Sequence, residues 1–156
     1  MITIEPPGNR SAEDGLLSKA GLARFLNRVR VAAGVEGEVH VLLADDQTLK
    51  RLNRTFRGKN KATDVLSFPA APESEIAGDL AISLETAARQ AQQFGHTLRD
   101  EVRVLLLHGT LHLAGFDHEA DNGEMATREA ELRRTLKLPT SLIARVTTAT
   151  RKRVRP

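Results

Sequence analysis

The chain has no cysteine, no tryptophan and no tyrosine, and its only aromatic residues are five phenylalanines in 156 positions. Without cysteine there are no disulfides, no thiolate metal sites and no cysteine nucleophile. Any metal must then be held by histidine and carboxylate side chains. The absence also fits a reducing compartment. So few rings leave aromatic stacking, as used to grip nucleic-acid bases, poorly supplied. The opening MITIEPPGNR lacks the basic and long apolar regions of a secretion signal. Apolar runs such as Val104–Leu107 are far too short to span a bilayer. We therefore expect a cytoplasmic protein with no membrane contact.

What is present describes one ordinary globular domain. Apolar residues make up 40% of the chain and charged residues 28%, a folded rather than disordered mix. At this length a core forms without disulfide or metal staples. The net charge of +3 is uneven: the last twelve residues carry five bases and no acid, leaving 18 basic and 20 acidic side chains elsewhere. We expect a single domain over residues 1–144 and a basic, flexible tail over 145–156. A second acid-free stretch, residues 47–63, holds Lys50, Arg51, Arg54, Arg57, Lys59 and Lys61. On a slightly acidic body, this is either an anion-facing edge or a solvated helix face with a basic loop.

Hydrophobic periodicity places the elements. Ile2–Ile4 reads as a short strand. Ser11 and Asp14 resemble a capping box. Leu22, Leu26, Val29 and Ala33 then recur at helical spacing until Gly34. Val39–Leu43 is a strand. Asp45 or Asp46 caps a helix with Leu49, Leu52 and Phe56 on its apolar face, stopped by Gly58. DVLSFP and GDLAIS give two more strands. Ser83 caps a helix ending at Gly95. Thr97 caps a buried helix ending at Gly115, and Asp121 with Glu124 opens a last one through Leu136. The order βαβαββααα, with a small mixed four-stranded sheet and about five helices, argues an α+β fold carrying a zincin-like histidine helix.

That helix and the turn after it contain HGTLHLAGFDH, residues 108–118. Positions four apart share a helix face, so His108 and His112 offer two corners of a tetrahedral site. Gly115 turns the chain and can bring His118 to a third. Three protein ligands leave a fourth position for water, the pattern of a catalytic rather than a structural zinc. Metzincin proteases share this spacing but place glutamate, the general base, where Gly109 stands. Losing that base costs a peptidase about 100-fold to 10,000-fold, and no Met-turn follows. A mid-helix glycine costs about 1 kcal/mol against alanine, so something near Gly109 needs the room. For His40 and His96 the bland structural reading is preferred.

HGTLHLAGFDH, together with FRGKNKATDVLSFP, GDLAIS, and Met125 and Glu129 in the last helix, resembles the YbeY family of bacterial endoribonucleases and ribosomal-RNA maturation factors. The likeness covers most of residues 1–138. Asn60 and Ala62 depart from the family's usual Asp and Pro, which bears on the rigidity of that loop. The resemblance implies a zinc-type ion on His108, His112 and His118, with Arg57 as the essential arginine. It implies hydrolysis of single-stranded RNA in ribosomal-RNA processing, including the small-subunit 3′ end, and in ribosome quality control. Expected partners are ribosomal RNA, the ribosome, and ribosomal proteins or assembly GTPases. Phosphodiester chemistry agrees: a metal and a guanidinium suit an anionic transition state better than a lone carboxylate, and Gly109 removes a charge the substrate would meet. Arg54, Lys59 and Lys61, with Arg57, can track the RNA backbone. Asp117 either acts on a ligand imidazole or a proton, or simply caps the next turn. The alternatives are a metal-stabilised RNA-binding assembly factor without catalysis and, further off, a zinc peptidase.

Overall fold

The computed structural model describes residues 2–5 and 17–139. The expected Ser11–Asp14 capping box, the domain end at 144 and the basic tail lie outside the described residues. The elements run β1 (Ile2–Ile4), α1 (Lys19–Ala32), β2 (Glu38–Ala44), α2 (Asp46–Arg57), β3 (Val65–Pro69), β4 (Ile76–Ser83), α3 (Leu84–Phe94), α4 (Leu98–Leu113) and α5 (Glu124–Thr135). This is the expected α+β order. The sheet order is β1-β2-β4-β3, with β1, β2 and β4 parallel and β3 antiparallel at the edge. No helix among the described residues is long and apolar enough to cross a membrane.

Strand side chains alternate between faces, and the burial pattern follows. Val39, Val41 and Leu43 of β2 and Leu80 and Ile82 of β4 join Leu22, Phe25, Leu26 and Val29 of α1, and most of α4, in the main core. On the opposite face Leu49 of α2 is buried with Ala44, Leu66 and Ala81, and the partly buried Leu42, Leu52 and Phe68 pack against them. Ten of the sixteen residues of α4 are buried, and each large apolar side chain among them contributes about 1.5–3 kcal/mol. Helix α4 is therefore a rigid base for anything it carries.

The caps explain the boundaries. Ser18 caps α1, its Oγ accepting the Gly21 N–H at 3.0 Å. Asp45, rather than Asp46, caps α2 through the Thr48 N–H. Asp46 does something else. Its carboxylate accepts from Ser83 Oγ, Thr86 Oγ1 and Arg89 Nη2, tying the start of α2 to the β4–α3 junction. Ser83 and Thr97 cap α3 and α4 as expected. Asp121 accepts the Met125 N–H and secures the start of α5.

Candidate metal centre

Helix α4 ends in a reversal. Gly115 N–H donates to His112 O, and Phe116 N–H reaches back to Leu111 O at 3.1 Å. Gly115 adopts φ +99°, a conformation that a side chain disfavours. The chain folds back over its own helix end, and His118 returns to His108 and His112. The three ring centroids lie 4.8, 5.2 and 5.4 Å apart, and one ligand atom from each ring can be chosen with all three within 4.8 Å.

The hydrogen bonds define which nitrogens are available. His108 Nδ1 lies 2.7 Å from Glu129 Oε2. His112 Nδ1 lies 3.0 Å from the Phe116 carbonyl. A carboxylate and a carbonyl only accept, so both Nδ1 atoms carry the proton and both Nε2 atoms keep a lone pair. Those two Nε2 atoms are 3.2 Å apart. Facing lone pairs repel unless a cation sits between them. Tetrahedral coordination at about 2.05 Å puts ligand nitrogens about 3.3 Å apart, which matches. His118 Nδ1 is buried without a hydrogen-bond partner, an orphan of the kind a bound group satisfies. Burial of His112, followed by the like charges of His108 and His118, holds its pKa below the ordinary 6.5. This favours the neutral ring that a metal requires. The donor set fits a metal ion.

Glu129 is the residue whose role the sequence reading missed. It is 1% exposed on α5, 21 residues beyond the histidine it holds. Its spacing to Met125 and Leu132 gives only the signal of a helix face turned inward. Outer partners of this kind fix a ligand's tautomer and ring orientation.

Gly109 has a packing reason. A Cβ there would lie 2.9 Å from Leu80 Cδ2 and 3.2 Å from Ser67 Oγ, while Ser67 Oγ–H donates to the Gly109 carbonyl at 3.1 Å. The room is taken by side chains of β3 and β4. Helix–sheet contact therefore favours a glycine here before substrate charge is considered.

The histidines open into a cleft of about 660 Å³ whose lining includes Arg57, Asp64, Ser67, Asp117 and Glu119. Arg57, the last residue of α2, thus meets the histidines from another element, although 51 positions separate it from His108. Arg54, Lys59 and Lys61 are exposed around the same helix end but do not line the cleft. The loop bearing the lysines is anchored by Asn53, which is 2% exposed and whose Nδ2–H donates to Lys61 O at 3.0 Å. That bond bears on the rigidity left open by Asn60 and Ala62. Asp64 is fixed by the Val65 N–H and by Gln90. Asp117 Oδ1 accepts the Glu119 N–H and caps the turn; its carboxylate lines the cleft but bonds to no histidine. His40 and His96 lie outside the cleft. His96 pairs with the buried Glu101, and His40 sits on the open sheet face near Glu38 and Asp79.

Residues 14–137 match the family model described as Endoribonuclease YbeY. The chain belongs to this family. A YbeY relative from Koribacter versatilis is 55% identical over 136 residues, 87% of this chain and 89% of that protein. One from Nautilia profundicola is 52% identical over 110 residues, covering 69% and 78%. The solution structure of TM1509 from Thermotoga maritima aligns with a TM-score of 0.51 at 29% identity, over 84% of this chain and 85% of that one. Both YbeY relatives are named endoribonucleases.

Proposed function

We propose that this protein is a metal-dependent endoribonuclease that cuts single-stranded RNA in the cytoplasm. It would act in ribosomal-RNA maturation, including the small-subunit 3′ end, and in ribosome quality control, with the ribosome and its assembly proteins as partners. His108, His112 and His118 would hold the metal, a zinc ion on this reading. The observation carrying the reading is the pair of Nε2 lone pairs 3.2 Å apart, each set by a partner that can only accept. Membership of the YbeY family supports the reaction class. When bound, the metal supplies a Lewis acid for a phosphoryl oxygen and an acidified water.

The remaining steps belong to the chain. Glu129 and the Phe116 carbonyl keep the Nε2 atoms of His108 and His112 aimed at the cleft. Arg57 offers a guanidinium fork to the non-bridging oxygens, where negative charge builds in the transition state. Arg54, Lys59 and Lys61 attract the flanking phosphates. Asp117, in the lining of the cleft, takes the proton released by the attacking hydroxyl or water. Metal content and cleavage of an unstructured RNA, measured for wild type and His112→Ala, test the reading. We expect near one zinc per wild-type chain, and neither metal nor cleavage in the folded variant. Cleavage that survives both substitution and chelation sinks it.

A further inference from the structure

Phe56 breaks the pattern of its helix. Sequence periodicity assigns it to the buried face of α2 with Leu49 and Leu52, yet it is 67% exposed while Leu49 is fully buried. Its ring meets Phe68 of β3 edge-on, with centroids 5.6 Å apart and planes at 64°. The two rings belong to a groove of about 530 Å³ on the open face of the sheet, with Leu42 and Leu52 on its floor and Glu5 and Asp79 in its lining. An exposed ring loses the hydrophobic gain that packing would give it. Here the ring's aromatic contact is the edge of Phe68.

Charge sets what the groove can accept. Arg54, Arg57, Lys59 and Lys61 lie close to Phe56 in sequence, at the end of α2 and in the loop after it, and are exposed outside the groove lining. The lining itself carries the acids Glu5 and Asp79 and no lysine or arginine. A phosphate chain is drawn to the basic helix end and kept from the acidic side, so an anionic polymer following the helix end would turn its uncharged groups inward. Strand β3 joins the two sites: Ser67 and Pro69 line the metal cleft, while Phe68 between them faces the groove. A strand engaged by Arg57 at the cleft therefore has an aromatic surface one residue around the sheet edge.

We propose that Phe56, in edge contact with Phe68, is a stacking platform for an unpaired base of single-stranded RNA next to the cleavage site. The proposal rests on the endoribonuclease reading and adds a base subsite to it. Base–aromatic stacking is tolerant of sequence and requires an unstacked nucleotide. Phe56 thus selects single strands without reading sequence, in a protein with few rings to do so.

The absence of tryptophan and tyrosine makes a direct test possible. A Phe56→Trp variant carries one fluorophore, and Phe94→Trp, at a ring 43% exposed on α3, is the control. Both are titrated at low salt as the metal-loaded protein, with readings taken faster than cleavage, using a twelve-nucleotide oligoadenylate and an abasic oligomer of equal length and charge. Expected for Phe56→Trp is quenching of the indole by oligoadenylate and little by the abasic oligomer. The indole of the Phe94→Trp control should respond to neither. Phe56→Ala and Phe56→Leu, with unchanged circular dichroism, should both weaken oligoadenylate binding roughly 5- to 100-fold and leave abasic binding unchanged. Equal quenching by both oligomers, or undiminished affinity in Phe56→Ala, overturns the proposal. So does a Phe56→Trp variant whose fluorescence ignores RNA but responds to a basic peptide, which would make the groove a protein-docking surface. Because these readouts need no turnover, loss of the stacking proposal is distinguishable from loss of the nuclease reading, which cleavage and metal content decide.

Discussion

Replacing Glu129 should weaken metal binding although Glu129 is not a ligand. Its carboxylate and the His108 side chain are 1% and 7% exposed and 2.7 Å apart. Water cannot substitute for the lost acceptor at that depth. Losing the outer partner of a metal-bound histidine costs about 10- to 100-fold in affinity, or about 1.4–2.8 kcal/mol at 1.4 kcal/mol per tenfold. A hydrogen bond to a charged group contributes about 1.5–3 kcal/mol, so two independent routes give the same size. Glu129→Leu keeps much of the volume, removes the acceptor and should show the full loss. Glu129→Gln keeps an acceptor oxygen and should lose about tenfold or less. The assay is zinc competition against a chromogenic chelator, with circular dichroism to confirm the fold. A folded Glu129→Leu that binds zinc as tightly as wild type would refute the reasoning and leave Glu129 as a core filler. A loss confined to apo stability would do the same.

Further outcomes follow from single contacts. Arg57→Ala should lower the cleavage rate about 100-fold or more while RNA retention at low salt changes little; equal loss of both would favour a binding protein without catalysis. Gly109→Ala gains about 1 kcal/mol of helix propensity, but its Cβ meets the buried Leu80, an overpacking cost of about 1–3 kcal/mol. The net should be a lower melting temperature, and a raised one would contradict the packing account. Asp46→Ala should cost about 2 kcal/mol at pH 7 in urea unfolding. Burial raises the Asp46 pKa, but the hydrogen bonds from Ser83, Thr86 and Arg89 outweigh it and hold the group below 3.8. A depressed folded pKa gives stability that is fully present above the unfolded value and is lost as pH falls through the folded one. The gap between wild type and Asp46→Ala should therefore narrow below about pH 4, and a gap that persists there would assign the loss to packing.

Local chemistry made much of the molecule legible. Caps at Ser83 and Thr97, and apolar spacing in α1 and α4, are decided by near neighbours, so element order and the His108–His112 face could be read directly. At α1 the cap is Ser18, whose hydroxyl meets the Gly21 N–H of the turn that follows it. Gly109 carried a signal of closeness without its cause. Leu80 and Ser67 reach it only when β3 and β4 pack on α4.

Residue order alone was enough for the elements, for the three histidines with the turning Gly115, and for the basic run of α2, since helix spacing and glycine's freedom are local properties. Packing settled what lay beyond. It carried Arg57 to the histidines, set Glu129 behind His108, gave Asp46 its three donors, and left Phe56 on an uncovered sheet face. Each of these joins distant parts of the chain. Whether such side chains meet depends on how the sheet orders its strands and which faces the helices cover, and no local pattern encodes that.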